Sequence, residues 1–146
     1  MKFEQLLFYW KEIGKGTVNF RDICDEGTNK EDFLKGFKNG SMSTKVYRGL
    51  DILYVDGLDC DEDILAFLQK NSSEFESATT SLNVAELFSG GGLPDLRYYL
   101  IVEMESEMYL ELQDDSEFEV ILYKPVYKKI IKKRLAEDVD YKSYYG

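Results

Sequence analysis

The chain has 146 residues, of which 44% are hydrophobic and 14% aromatic, and this is enough for one globular core. Its 28 acidic and 18 basic residues give a net charge of −10, which disfavours nucleic acid and anionic membranes as partners and favours a basic protein. The chain contains no histidine, so it lacks the commonest general base and metal ligand, and Cys24 and Cys60 fit no metal or redox spacing.

Helical patterns dominate the first 90 residues. Apolar side chains recur at helical spacing in residues 3–13, and the acids among them favour a helix over a signal peptide. Further helices are predicted after Asn29 as N-cap, after Asp59 or Asp61 as N-cap with an end at 71–73, and after Asn83. A short strand is predicted near Val18–Phe20 and one bent strand or two short ones in 45–55, while 74–82 carry no clear pattern.

The stretch between Arg97 and Lys124 alternates β-forming residues with carboxylates and contains no basic residue, Gly or Pro. We predict three antiparallel strands here, because alternate side chains of a strand lie on opposite faces. One face is the expected core and carries Leu100, Val102, Leu112, Val120 and Leu122. The other face combines tyrosines with glutamates, whose mutual repulsion a cationic partner would relieve.

Pro125 is placed to open a C-terminal amphipathic helix, with Tyr127, Ile130, Ile131 and Leu135 on its apolar arc and four lysines opposite. Arg134 falls in the apolar arc, so we expect it to be partly buried and paired with a carboxylate. The predicted fold class is therefore α+β. It comprises a mostly helical first half, a three-stranded antiparallel sheet at about 97–124 and the C-terminal helix, in a single domain spanning 1–146.

Known motifs of catalysis and metal binding do not fit the sequence. A calcium loop starting at Asp59 would have Ile64 at the glycine position and Lys70 at the final glutamate position. The glycines after Ser89 are not followed by the Lys-Ser/Thr pair of a phosphate-binding loop. We therefore expect no cofactor, no metal and no enzymatic activity.

Charge and pattern favour an acidic intracellular inhibitory binding protein, such as a bacterial immunity protein that neutralises a basic toxin, for example a nuclease. The expected location is the cytoplasm, and the oligomeric state stays open. Alternatives are an acidic nucleic-acid mimic that inhibits a defence protein, an enzyme that uses carboxylates or a metal, and a scaffold subunit. The predicted partner-binding residues are Tyr99, Glu103, Glu105, Tyr109, Glu111, Glu119 and Tyr123 on the sheet, with Asp59, Asp61 and Asp63 in an acidic loop.

Overall fold

The computed structural model describes residues 1–12, 19–40, 42–50, 58, 60–90, 99–112 and 118–134, and for Tyr99 and Arg134 it describes the backbone only. The chain forms two compact units, Met1–Lys38 and Asn39–Gly146, which we call the N-terminal unit and the sheet unit. The expectation of a single domain stays a prediction. None of the helices in the described ranges is long and apolar enough to cross a membrane.

The N-terminal unit consists of three short helices, α1 (Phe3–Glu12), α2 (Phe20–Cys24) and α3 (Asn29–Leu34). They meet around an aromatic cluster in which the Phe20 ring lies 5.2 Å from Trp10 and 4.9 Å from Phe33, both edge to face. Such pairs stabilise a small core beyond the area they bury. Phe20 therefore begins a helix, and the predicted strand near it is wrong at this residue.

Thr28, one residue earlier than predicted, is the N-cap of α3. Asn29 is buried instead, where its side chain accepts a hydrogen bond from the Met1 amino group at 2.7 Å and donates one to the Ile23 carbonyl at 2.8 Å. A buried amide needs such partners, and these explain its position inside the unit.

The sheet unit contains the strands and two helices. The strands are β1 (Lys38–Asn39) at the junction of the units, β2 (Val46–Leu50), β3 (Phe75–Thr79), β4 (Tyr99–Glu105), β5 (Met108–Glu111), β6 (Glu119–Tyr123) and β7 (Val126–Arg134). The helices are α4 (Asp61–Lys70) and α5 (Leu82–Gly90). The strands form one seven-stranded antiparallel sheet in the order β1-β5-β6-β3-β2-β4-β7. The prediction of a mostly helical first half beside a three-stranded sheet is therefore wrong.

The predicted strands of 97–124 exist as β4, β5 and β6, but they do not form a meander. β4 lies between β2 and β7, whereas β5 pairs with β6. Only Ser106 and Glu107 connect β4 to β5, and only Lys124 and Pro125 connect β6 to β7. A connection of two residues can bridge at most about 11 Å between the ends of two strands. In a flat sheet, β4 and β5 would be four strand spacings apart, as would β6 and β7, and this distance is about 19 Å.

The sheet must therefore fold over on itself, and the pairing between β2 and β3 shows where it bends. These two strands share a single bridge, between Tyr47 and Thr79. The half containing β2, β4 and β7 then faces the half containing β3, β5 and β6. Their inner faces contribute Leu100 and Val102 from β4, together with Val120 and Leu122 from β6, to one hydrophobic core.

The predicted C-terminal helix is wrong at 126–134, where the chain forms edge strand β7. Tyr127, Ile130 and Lys133 pair with Met104, Val102 and Leu100 of β4, so β7 advances three residues where β4 advances two. Two β-bulges insert the extra residues, at the register shifts between Ile101 and Val102 and between Glu103 and Met104. The resulting spacing of three along β7 imitates the period of an amphipathic helix.

The inner-face prediction is confirmed for Leu100, Val102, Val120 and Leu122, which are buried, while Leu112 is half-buried. The opposite face, which combines tyrosines with glutamates, is also covered in part, because Ile101 and Ile121 on that face are fully buried.

Helix α5 packs against β2 and β4 and covers part of the outer face of this half of the sheet. The approach is so close that a Cβ added at Gly49 would collide with the backbone carbonyl of Ala85. Helix α4 contributes Ile64 and Leu68 to the inner core. We did not predict strand β3. Its sequence contains one acidic residue and two residues with hydroxyl side chains, which obscure the alternation of apolar and polar residues that indicates a strand.

Candidate functional site

The structure divides the predicted partner surface between both faces of the sheet. Because Val102 is on the inner face, Glu103 and Glu105 belong to the outer face of β4. Tyr109 and Glu111 pair with Leu122 and Val120 and so share the inner side of β5 and β6. Tyr109 packs against the hydrophobic core, and Glu111 is exposed. The prediction that these residues form one face is wrong, because β4 and β5 belong to different halves of the folded sheet.

Glu119 and Tyr123 lie on the outer face of β6, opposite Thr79 and Phe75 of β3. The Tyr123 ring contacts the Phe75 ring at a centroid distance of 5.0 Å. The side chain of Tyr99 and the whole of Asp59 lie outside the described part of the chain.

Asp61 and Asp63 are exposed in the first turn of α4, whose N-cap is Cys60. Acids in this position are stabilised by the unpaired backbone amides and the dipole of the helix. Asp61 also accepts a hydrogen bond from Lys133 Nζ at 2.6 Å, which joins the helix to β7. Asp61 is thus held by an intramolecular ion pair although its side chain is exposed, while Asp63 faces solvent.

The acids of β4 do have basic neighbours, contrary to the prediction of an uncompensated acidic face. The bases come from β7 and from the segment before β2, which are distant in sequence and adjacent in the sheet. Glu103 pairs in register with Lys129, and Lys128 Nζ lies 3.5 Å from Glu105 Oε2. Strand β7 therefore relieves intramolecularly much of the repulsion that we assigned to a partner.

A cleft of about 620 Å³ opens at one end of the sheet unit, where three segments meet. We call it the Glu103 cleft. It brings together three of the predicted residues, Glu103, Glu105 and Tyr123. Its lining comes from the segment before and including the start of β2, from the β4–β5 connection and from the β6–β7 connection. The charged lining residues are Lys45, Glu103, Glu105, Glu107, Lys124 and Lys128.

Glu103 is the buried charge of this cleft, with only 7% of its side chain exposed. Its Oε1 lies 3.6 Å from Lys45 Nζ, and its Oε2 lies 3.6 Å from Lys128 Nζ. Both separations exceed hydrogen-bond length, so the carboxylate is held by charge attraction without a direct hydrogen bond. Neither oxygen of Glu103 is a buried atom without a hydrogen-bond partner, so both can still be reached from the cleft, and the carboxylate retains capacity to accept hydrogen bonds.

Three of the four methionines of the chain, Met42, Met104 and Met108, line the same cleft. Thioether side chains are polarisable and adapt to irregular apolar groups. Tyr123 adds an aromatic ring over which Lys124 Nζ lies at 5.4 Å from the centroid, a cation–π distance. The cleft thus offers a carboxylate at depth, apolar walls and an aromatic surface that already contacts a cation.

No pattern in the sequence indicated Lys45 or Lys128 as neighbours of Glu103. Even as a strand, β7 would have been expected beside β6 because of the two-residue connection, whereas the fold pairs it with β4.

A second polar cluster, which sequence reasoning also missed, lies at the bend of the sheet. Arg48 Nη1 is 2.8 Å from Glu76 Oε2 and donates a hydrogen bond of 2.8 Å to the Ser77 carbonyl. Because β2 and β3 separate here, this side chain links two strands that lack regular backbone pairing. Burial raises the pKa of nearby Tyr127 to about 12, with Arg48 lowering and Glu76 raising it to smaller extents.

Within the described residues, no group of three acids or cysteines is arranged to hold a metal ion. In comparisons with known proteins, no family model matches the chain, and neither a curated protein nor a solved structure matches it.

Proposed function

We propose that this protein is an inhibitory binding protein that recognises a basic protein, the functional class to which immunity proteins against toxins belong. The observation that supports this proposal is the Glu103 cleft, in which three carboxylates, a buried one among them, line one cavity together with three exposed lysines. Cavities of this size accommodate side chains or small groups of a partner.

The distribution of charge between the two units supports the same proposal. Met1–Lys38 contains seven acidic and seven basic residues, so the whole net charge of −10 belongs to Asn39–Gly146. The cleft therefore lies in the unit that generates the negative field. Such a field accelerates the approach of a basic partner, while local contacts determine how long the complex lasts.

The test uses charge reversal at the exposed rim of the cleft, because reversal of buried Glu103 would place a lysine next to two others. Glu105→Lys with Glu107→Lys is compared with Glu111→Lys, which alters an exposed acid on the inner side of the neighbouring half of the sheet. The partner is the protein retained from an extract of the native host or encoded by the adjacent gene.

We expect the rim variant to slow association by about tenfold or more at low salt and to change dissociation less, with the difference shrinking as salt increases. The Glu111→Lys control should have a clearly smaller effect. Equal effects of the rim and control variants would place the contact elsewhere, and salt-independent rates would contradict the electrostatic basis of the proposal.

A further inference from the structure

The Glu103 cleft has one carboxylate, Glu103, at depth, while its lysines and the carboxylates of Glu105 and Glu107 lie at the rim. Glu103 is 7% exposed, whereas the side chains of Lys45 and Lys128, its two ionic partners, are 72% and 53% exposed. Both lysines reach the carboxylate with long side chains that extend through solvent. A group entering the cleft would therefore meet a carboxylate once these two side chains turn outward.

This arrangement favours a cation over an anion as the entering group. An anion would come close to a buried carboxylate of the same charge. It could form ion pairs only with the exposed lysines, and water weakens such pairs. A cation would take the place of the two ammonium groups at Glu103 and leave both lysines fully hydrated.

A guanidinium group suits Glu103 better than the ammonium groups that now face it. Its planar fork can donate two hydrogen bonds to one carboxylate, and it is more weakly hydrated than an ammonium group. The Nζ atoms of the two lysines lie 3.6 Å from the carboxylate oxygens of Glu103, which is too far for them to donate such hydrogen bonds. Met42 and Met108, which are half-buried, offer apolar contacts for the aliphatic part of such a side chain, whereas Met104 is buried in the inner core.

We infer that the Glu103 cleft receives the guanidinium group of an arginine side chain of the basic partner, which displaces Lys45 and Lys128 from Glu103. This inference rests on the proposed function and names the group that the site recognises.

The probe for this inference is n-butylguanidinium, titrated into the full chain labelled with ¹³C at the methionine methyl groups. The chain has only four such methyls, and three of them line the cleft. We expect saturable shifts at the methionines that line the cleft, Met42, Met104 and Met108. The variant E103Q should weaken binding by about tenfold, because it removes a charge-assisted pair of hydrogen bonds.

Two further variants separate the role of Glu103 from a general loss of structure. K128M removes a competing ammonium group, so it should strengthen binding of the probe by a few fold, and it keeps the test valid if E103Q fails to fold. E111Q removes an exposed acid on the inner side of β5 and should leave binding unchanged. Absence of saturable shifts, equal binding of n-butylammonium, or the same shifts with butyrate would each overturn the inference.

These results are independent of the partner experiment. If the rim variant slows association with the protein partner while n-butylguanidinium produces no shifts, only the assignment of arginine fails. If the probe binds at Glu103 and the partner shows no dependence on charge, the proposed function fails although the cleft binds guanidinium.

Discussion

At the scale of single residues, Tyr127 is the buried ionisable side chain whose environment has a defined effect on stability. It is 8% exposed, and desolvation raises the pKa of its phenol from 10.0 to about 12. Between these two values the unfolded chain releases the phenolic proton while the folded chain retains it. The contribution of Tyr127 to stability is therefore complete below about pH 10 and is lost as pH rises towards 12.

The variant Tyr127→Phe should abolish this part of the alkaline destabilisation. Near pH 8 its free energy of unfolding should resemble that of the wild type. Between pH 10 and 12 the wild type should lose up to about 2–3 kcal/mol more than the variant. Urea unfolding at pH 8, 10 and 11 measures the difference. Other tyrosines and the lysines affect both proteins alike, so parallel curves would show that Tyr127 is not the group responsible.

Leu100 tests the inner core at the same scale. It is fully buried on β4 and belongs to the cluster formed by both halves of the sheet. Leu100→Ala should lower the free energy of unfolding by about 2–5 kcal/mol, since the cavity cannot collapse completely. The matched control is Leu87→Ala on α5, which is 58% exposed and should change stability by less than about 0.5 kcal/mol. Similar losses in both variants in chemical denaturation would contradict this assignment of the core.

At the scale of elements, the bend between β2 and β3 depends on side chains more than on backbone pairing. One bridge joins these strands, and Arg48 adds its contacts with Glu76 and the Ser77 carbonyl. Both side chains of this ion pair are largely shielded from solvent, at 26% and 12% exposed, so removal of one partner leaves the other poorly compensated.

A double-mutant cycle with Arg48→Met and Glu76→Gln should therefore give a coupling energy of about 1–3 kcal/mol in urea unfolding. The comparison pair is Lys35 and Asp32 in the N-terminal unit, 3.1 Å apart, where the lysine is 75% exposed. That pair should show a clearly smaller coupling energy than Arg48 and Glu76, because water screens it. A coupling at Arg48–Glu76 no larger than this would mean that the bend is maintained by other contacts.

At the scale of the whole molecule, the strands of the sheet unit differ in how extensively they pair with their neighbours. β4 pairs with β2 on one side and with β7 on the other along most of its length. β5 is four residues long and pairs with β6 over its full length. Its other neighbour in the sheet is β1, of only two residues.

Hydrogen exchange should therefore protect the amides of Ile101–Glu103 nearly to the free energy of global unfolding. The amides of Tyr109–Glu111 should exchange through a smaller opening, at least about tenfold faster. Exchange measured by NMR at constant pH, corrected for intrinsic rates, provides the comparison. Equal protection in both strands would indicate that the two halves of the sheet open together.

The sequence was sufficient for local features of this protein. Alternating apolar residues located β4, β5 and β6 and identified Leu100, Val102, Val120 and Leu122 as buried, because side-chain alternation is a property of a single strand. Helical spacing likewise located α1 and α4. Three of the predicted site residues, Glu103, Glu105 and Tyr123, line one cleft.

The tertiary structure alone decided which strands are neighbours, and the site depends on that. Two-residue connections are typical of hairpins, but in this protein they join opposite halves of a folded sheet. Such a short connection is possible because packed layers of a sheet lie only about 10 Å apart. Two bulges gave β7 the spacing of a helix and placed its lysines beside the acids of β4. The local pattern could not reveal Lys128 beside Glu103, since their proximity follows from long-range pairing of β4 with β7.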